Sequence, residues 1–136
     1  MENIAQNPFL EMEKIKARPN ACTIVDLHAE ATSEKAAFFE LYKEKCTLIV
    51  GTHTHIQTAD ESVRNGCAFI SDVGMTGPYH SIIGRDIQEV LDRFRGIVSK
   101  KFTVAEGEAI FSAILVEIDE TSRRATHIER IQIRPN

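Results

Sequence analysis

An α/β fold is predicted, built from βαβ units and closed by a C-terminal β-hairpin. Two compact β-branched runs, residues 21–27 and 47–50, flank a segment with helical periodicity. Strand, helix and strand within about 30 residues make a βαβ unit, whose crossover is right-handed and whose strands run parallel. At the far end, the most apolar run (residues 109–118) and an alternating run (residues 126–134) flank the polar stretch 120–124, as in an antiparallel hairpin.

The chain has 136 residues, the size of one domain, with 43% hydrophobic and 26% charged side chains. That is enough to bury a core without disulfides. With 16 Lys and Arg against 20 Asp and Glu, the formal charge is −4. A broad nucleic-acid-binding surface would need a basic excess. No apolar run approaches the ~20 residues of a membrane-spanning helix. The first residues lack the basic and apolar regions of a signal peptide. Cys22, Cys46 and Cys67 are odd in number and lack CxxC spacing. They read as buried free thiols in a reducing cytoplasm.

Taken in order, Phe9, Met12 and Ile15 suit one short helix, broken at Arg18-Pro19-Asn20. Residues 21–27 lack polar alternation, as in a strand covered on both faces. Thr32 or Ser33 suits the N-cap of a helix over residues 34–45, with Ala37, Phe38, Leu41 and Tyr42 as its apolar stripe. Residues 47–50 form the next buried strand. Asn65-Gly66 signals a turn, and residues 67–74 form a third strand ending in the irregular loop 74–80. Asp86 and Glu89 have capping-box spacing ahead of the stripe Ile87, Val90, Leu91 and Phe94, which Gly96 closes. Residues 102–104 suit a short strand.

The residues able to do chemistry gather at two strand ends. One run leads into Asp26-Leu27-His28-Ala29-Glu30, the other through Gly51 into Thr52-His53-Thr54-His55. Parallel strands bring their C-terminal ends to one sheet edge, where ligands of open α/β sheets bind. His28 is therefore expected beside His53 and His55, and the two ends are expected to build part of a metal site. Alternate residues of an extended chain point to opposite sides, so His53 and His55 would reach two different ions. Imidazole suits Zn, Fe, Mn or Ni. By spacing alone the pair reads equally as two hydrogen-bonded loop histidines. Asp26 can orient His28 or cap a turn. Glu30 suits a helix entry better than a ligand. His80 lies in a Gly/Pro loop that can visit the site, though an ordinary loop histidine is the favoured reading, and His127 is expected to be solvated. Gly51 allows a close backbone approach or a bend.

Three strings carry a resemblance: Val-Asp-Leu-His-Ala-Glu-Ala-Thr-Ser-Glu-Lys, Val-Gly-Thr-His-Thr-His-Ile-Gln-Thr-Ala-Asp-Glu and Ser-Asp-Val-Gly-Met-Thr-Gly-Pro-Tyr. Together they resemble the calcineurin-like metallophosphoesterases, in particular their YmdB-like bacterial phosphodiesterase branch. The resemblance runs over essentially the whole chain, but over only the C-terminal half of the family's usual length. It implies that residues 1–136 are a single domain, half of a two-sheet sandwich flanked by helices. It implies two divalent transition-metal ions (Fe, Mn or Zn) in one cleft, with His28 and His53 on one ion and His55 on the other. Asp26, Thr54, Asp72 and Gly74 would lie behind these ligands or on the substrate side.

The implied substrate is a small phosphoester, such as a cyclic nucleotide, opened by hydrolysis. The family's Asp, bridging Glu, Asn ligands and catalytic His belong to its other half, and residues 1–20 hold no such set. No catalytic residue is therefore assigned here. Partial or no metal occupancy and no turnover are expected of this chain alone. His80 follows Tyr79 where the family would carry an acidic residue. Half a sandwich leaves strands uncovered, so a homo-oligomer or a chain supplying the missing half is expected. The alternative is a non-catalytic metal-binding or assembly module.

Overall fold

Residues 6–16, 18, 20–97 and 103–136 are described by a computed structural model. Helix α1 spans Pro8–Lys14, strand β1 Ile24–His28, helix α2 Thr32–Tyr42 and strand β2 Leu48–Thr52. Then come β3 (Ser62–Arg64), β4 (Cys67–Ile70), β5 (Gly77–Pro78), α3 (Ile87–Phe94), β6 (Ala109–Ile118) and β7 (Ala125–Ile133). One sheet has the order β1-β2-β4-β3, and a second has the order β5-β6-β7. The predicted α/β class holds. Strands β1 and β2 are parallel, as the βαβ reading requires, and β6 and β7 form the antiparallel hairpin.

Two apolar layers bind these parts. On one face of the first sheet, α1 and α2 close over Leu27, Ile49, Cys67 and Phe69 with Met12, Phe38, Phe39 and Tyr42. On the other face, Leu48 and Ala68 meet Ala125 and Ile128 of β7, with Ile114 and Val116 of β6 behind them. Phe39 stacks on Phe69 at 4.5 Å between centroids, and Phe9 meets Phe38 edge-on at 5.3 Å. The Tyr42 hydroxyl donates to the Phe9 carbonyl at 2.6 Å, which ties α1 to α2.

Helix α1 starts where Asn7 caps it: its Oδ1 accepts from Phe9 N at 3.0 Å, and Pro8 occupies the first helical position. The break expected at Pro19 lies outside the described residues. Helix α3 is capped as its spacing predicts, with Asp86 Oδ1 accepting from Glu89 N at 3.0 Å. Asn65 and Gly66 both have positive φ (51° and 71°), and they turn β3 back onto β4. Two positive angles in succession define the hairpin turn this dipeptide favours.

Several expectations need correction. Strand β1 begins at Ile24, and His28 is its last residue. It is an edge strand, and Ile24 at its start is exposed. Helix α2 starts at Thr32 behind Ala31, with no side-chain cap. Its buried face is Lys35, Phe38, Phe39 and Tyr42, while Ala37 and Leu41 face solvent. Those four follow i, i+3, i+4, i+7, so the period is right but the stripe is rotated. Of α3's stripe only Val90 is buried. The polar stretch before Asn65 contains β3, and the irregular loop contains β5, which pairs with β6. Residue 102 of the short strand expected near 102–104 lies outside the described residues, and Val104 makes an isolated bridge to Arg85. Cys46 and Cys67 are buried, but Cys22 is exposed. Burial pushes the Cys67 thiol up to about 12, with Cys46 beside it adding to the rise.

Arg124, at the entry to β7, locks the second sheet to the first. Its guanidinium donates to the carbonyls of Lys43 (2.9 Å), Cys46 (3.1 Å) and Asn65. The first two lie just past the end of α2, where orphan carbonyls need a cation or donor.

Candidate metal centre

The parallel register pairs His28 with Thr52, and this places His53 next to His28 across the sheet edge. His28 Nε2 and His53 Nδ1 are 3.2 Å apart, and their rings meet edge-on with centroids 5.0 Å apart. Both side chains are exposed. The predicted approach of the two strand ends is therefore present.

The protonation pattern follows from the neighbours. The Thr52 hydroxyl donates to Asp26 Oδ1 at 2.9 Å, so its oxygen accepts from His28 Nδ1 at 3.1 Å. His28 therefore carries its proton on Nδ1, and Nε2 presents a lone pair toward His53. Asp26 acts on His28 through Thr52, a relay that sequence spacing had not indicated. Register supplies the reason: Asp26, His28 and Thr52 lie on one face of the sheet.

His55 is built differently. Its Nδ1 donates to the Ile83 carbonyl at 2.8 Å, which leaves Nε2 as the lone-pair nitrogen. His53 and His55 take different partners, and the backbone is not the extended chain expected: φ is 135° at His53 and 68° at His55. Ile83, whose carbonyl holds His55, has φ 49°. Three non-glycine residues in sparsely populated backbone regions meet at one site, and such strain concentrates where side chains are held for function.

Behind the loop sits Asp72. It is 1% exposed and forms an ion pair with the equally buried Lys35 at 3.1 Å. Its carboxylate also accepts from Thr54 N (2.8 Å) and Gly74 N (2.9 Å). Burial alone would raise its pKa. The amides of Thr54 and Gly74, with the Thr54 and Lys35 side chains, outweigh burial and hold it below the usual carboxylate value. Asp72 thus anchors the backbone between His53 and His55 from the protein interior. Gly74 has φ 79°, and a Cβ there would lie 2.7 Å from Gln57 N. It serves the same packing between loops.

Gly51 explains how Lys35 reaches Asp72. A Cβ at Gly51 would lie 1.9 Å from the Ser71 carbonyl oxygen and 2.7 Å from Lys35 Cδ. The missing side chain leaves the channel that Lys35 occupies. The close approach foreseen at Gly51 is thus made by the protein itself.

The remaining candidates stand apart. The His80 ring packs edge-on against Tyr79 at 5.0 Å, and His127 is exposed on the hairpin. Glu30 is exposed just before α2. Among the described residues no three His, Cys, Asp or Glu side chains converge as a metal cluster, so His28 and His53 are a pair without a carboxylate partner. No described helix is long and apolar enough to cross a membrane. Thr52, the Ile83 carbonyl and Lys35 were missed by sequence reasoning. The Thr52 hydroxyl, two residues after the apolar run 47–50, was the one local hint.

Comparison with known proteins finds relatives over part of their length. A 2′,3′-cyclic-nucleotide 2′-phosphodiesterase of Bacillus subtilis is 43% identical over 131 residues, which are 93% of this chain and 50% of that protein. A putative phosphatase/phosphodiesterase of Mycoplasma pneumoniae is 37% identical, over 93% of this chain and 46% of its own length. A crystal structure described as a novel phosphatase from Mycoplasma pneumoniae superposes with a TM-score of 0.82 at 34% identity, covering 93% of this chain and 46% of that one. A hypothetical protein from Thermus thermophilus gives a TM-score of 0.82 at 35% identity, covering 93% of this chain and 50% of that one. The chain thus spans about half the length of the curated relatives it matches. The profile of the YmdB-like proteins matches residues 1–131, and the chain belongs to that family.

Proposed function

We infer that this chain carries the histidine side of a dinuclear phosphodiesterase centre of the calcineurin-like metallophosphoesterase type. In this reading it corresponds to the C-terminal half of its relatives, and the substrate is a small phosphodiester such as a 2′,3′-cyclic nucleotide. The supporting observation is the 3.2 Å approach of His28 Nε2 and His53 Nδ1, with the far nitrogen of His28 fixed by Thr52 and Asp26. Two nitrogens that share one cation at ~2.0–2.1 Å stand roughly 3.0–3.4 Å apart. The 3.2 Å separation of the pair falls in that range, and binding an ion there would displace the proton shared between the two nitrogens. Partners that fix the ring tautomer are what metal-binding histidines require.

Fe, Mn or Zn bound in such a centre polarises the phosphoryl oxygen and activates water for in-line attack. This chain's residues would do the holding. His28 and His53 would bind one ion and His55, through Nε2, the other. Asp72 keeps the loop backbone in place, and Asp26 keeps the His28 proton on Nδ1. The acidic and amide ligands and the general acid are assigned outside the described residues.

Titration with Mn²⁺ or Zn²⁺ by calorimetry tests this reading. One weak site is expected, weakened about tenfold or more in His53→Ala and about 10- to 100-fold in Thr52→Val, the latter through loss of ring orientation. Unchanged affinity in both variants would sink it. Turnover of a chromogenic phosphodiester is expected only when the other half is supplied.

A second reading, an assembly module, has its own support. Ile24, Phe94, Phe111, Leu115 and Ile133 are exposed, and Phe94 is 87% exposed. Unpaired edges and open apolar faces favour association. A dimer or larger species is expected by light scattering after size-exclusion chromatography. A monomer that persists at high concentration would overturn it.

A further inference from the structure

Beside His55 lies a cavity of about 230 Å³, formed between the histidine loop, the loop before α3 and the strands β6 and β7. Its apolar wall includes Met75, Ile83 and Ile110. Tyr79 and Gln132 also line it, and Arg134 completes it. We propose that this cavity takes the nucleobase of the substrate, with Tyr79 as the stacking surface and the Gln132–Arg134 pair at the polar edge of the base. The proposal rests on the phosphodiesterase reading above and adds where the organic part of the substrate sits.

Size decides against a larger occupant. Pockets that enclose whole drug-sized ligands measure about 300–1,000 Å³. A smaller space with an apolar wall suits a single ring system. The chemistry of the wall favours a ligand with an apolar face over a bare anion: Arg134 could meet a phosphate, but the hydrocarbon of Met75, Ile83 and Ile110 offers it nothing in exchange for its water. A base has a π face for Tyr79 and an edge with donors and acceptors. Arg134 Nε donates to Gln132 Oε1 at 2.8 Å, so guanidinium and amide form one unit.

Position links the cavity to the phosphate chemistry. His55 lines the cavity, while its Nδ1 is held by Ile83 O at 2.8 Å. A ligand with its phosphate at the histidine edge would therefore carry its base directly into this space. The walls are also braced. Met75 N donates to the His55 carbonyl at 3.1 Å, and Tyr79 N donates to the Glu108 carbonyl at 2.8 Å. Strand β5 pairs with Ile110 and Ala109. A pre-formed wall avoids ordering costs on binding. The edge-on contact with His80 fixes the Tyr79 ring.

The test uses this chain with chelator present and adenosine as probe, so that metal plays no part. Amide resonances of Tyr79, Ile83, Ile110 and Gln132 should shift in nitrogen–proton correlation spectra at millimolar adenosine. Ribose and inorganic phosphate should leave the apolar wall unmoved. Tyr79→Ala should weaken adenosine binding about fivefold or more, while Tyr79→Phe retains it. Two outcomes overturn the proposal: phosphate moving the Arg134 region while adenosine moves nothing, or equal adenosine binding in Tyr79→Ala. Failure of the metal reading appears separately, in the calorimetric titration.

Discussion

Gly51→Ala is expected to cost about 4 kcal/mol or more, or to prevent folding. The added methyl would lie 1.9 Å from a main-chain oxygen at Ser71, and 2.6 Å from its carbon. Backbone cannot swing aside as the end of a side chain can, so the C-terminal ends of β2 and β4 must part. Ordinary overpacking costs about 1–3 kcal/mol; losses beyond ~4 are tied to mechanisms of this kind. The same methyl would strike Lys35 Cδ and dislodge its ion pair with Asp72. Urea denaturation followed by circular dichroism measures the loss. A loss under about 1 kcal/mol would mean that the strand ends separate freely, contrary to the packing described.

Lys35→Met is expected to cost about 3–5 kcal/mol, the range for leaving one member of a buried ion pair alone. Asp72 would keep its two backbone donors, which favours the lower end. Lys35→Met combined with Asp72→Asn should recover part of the loss, because the uncompensated charge is then gone. No recovery would assign the effect to packing of the lysine stem. The pair also sets an acid limit. The folded Asp72 carboxyl lies below its ordinary value of 3.8. Its contribution is therefore complete above pH ~3.8 and disappears as pH falls through the lower, folded value. The excess acid sensitivity of the native chain over the double variant should lie below pH ~3.8.

Both predictions concern residues that stand behind the histidines. Gly51 makes room for Lys35, Lys35 neutralises Asp72, and Asp72 accepts the amide between His53 and His55. A loop with positive φ at both histidines needs such anchoring, because its backbone conformation is unfavourable by itself. In Lys35→Met, metal affinity is therefore expected to fall together with stability.

What was legible in the sequence is local or follows from strand order. The caps at Asp86, the turn at Asn65-Gly66 and the C-terminal hairpin are set by residues within a few positions of one another. The meeting of His28 with His53 was legible too, because a βαβ unit leaves parallel strands little choice about which ends are adjacent. Helix α2 shows where such reading stops. Its period was visible, but Lys35 did not look like a core residue, so the stripe was assigned one face away. The partner that makes its burial tolerable lies 37 residues later.

The sequence by itself determined the class of fold, the parallel strand pair and the edge at which His28 and His53 meet. Periodicity, caps and turn chemistry act over short distances and survive without knowledge of neighbours. Only the tertiary structure decided which ring nitrogen of His28 and His55 carries the proton, since Thr52 and the Ile83 carbonyl come from other segments. It alone revealed that Gly51 serves Lys35, and that loop and hairpin enclose a cavity beside His55. Hydrogen-bond partners and steric clearance are properties of pairs brought together by the chain, and no single position encodes them.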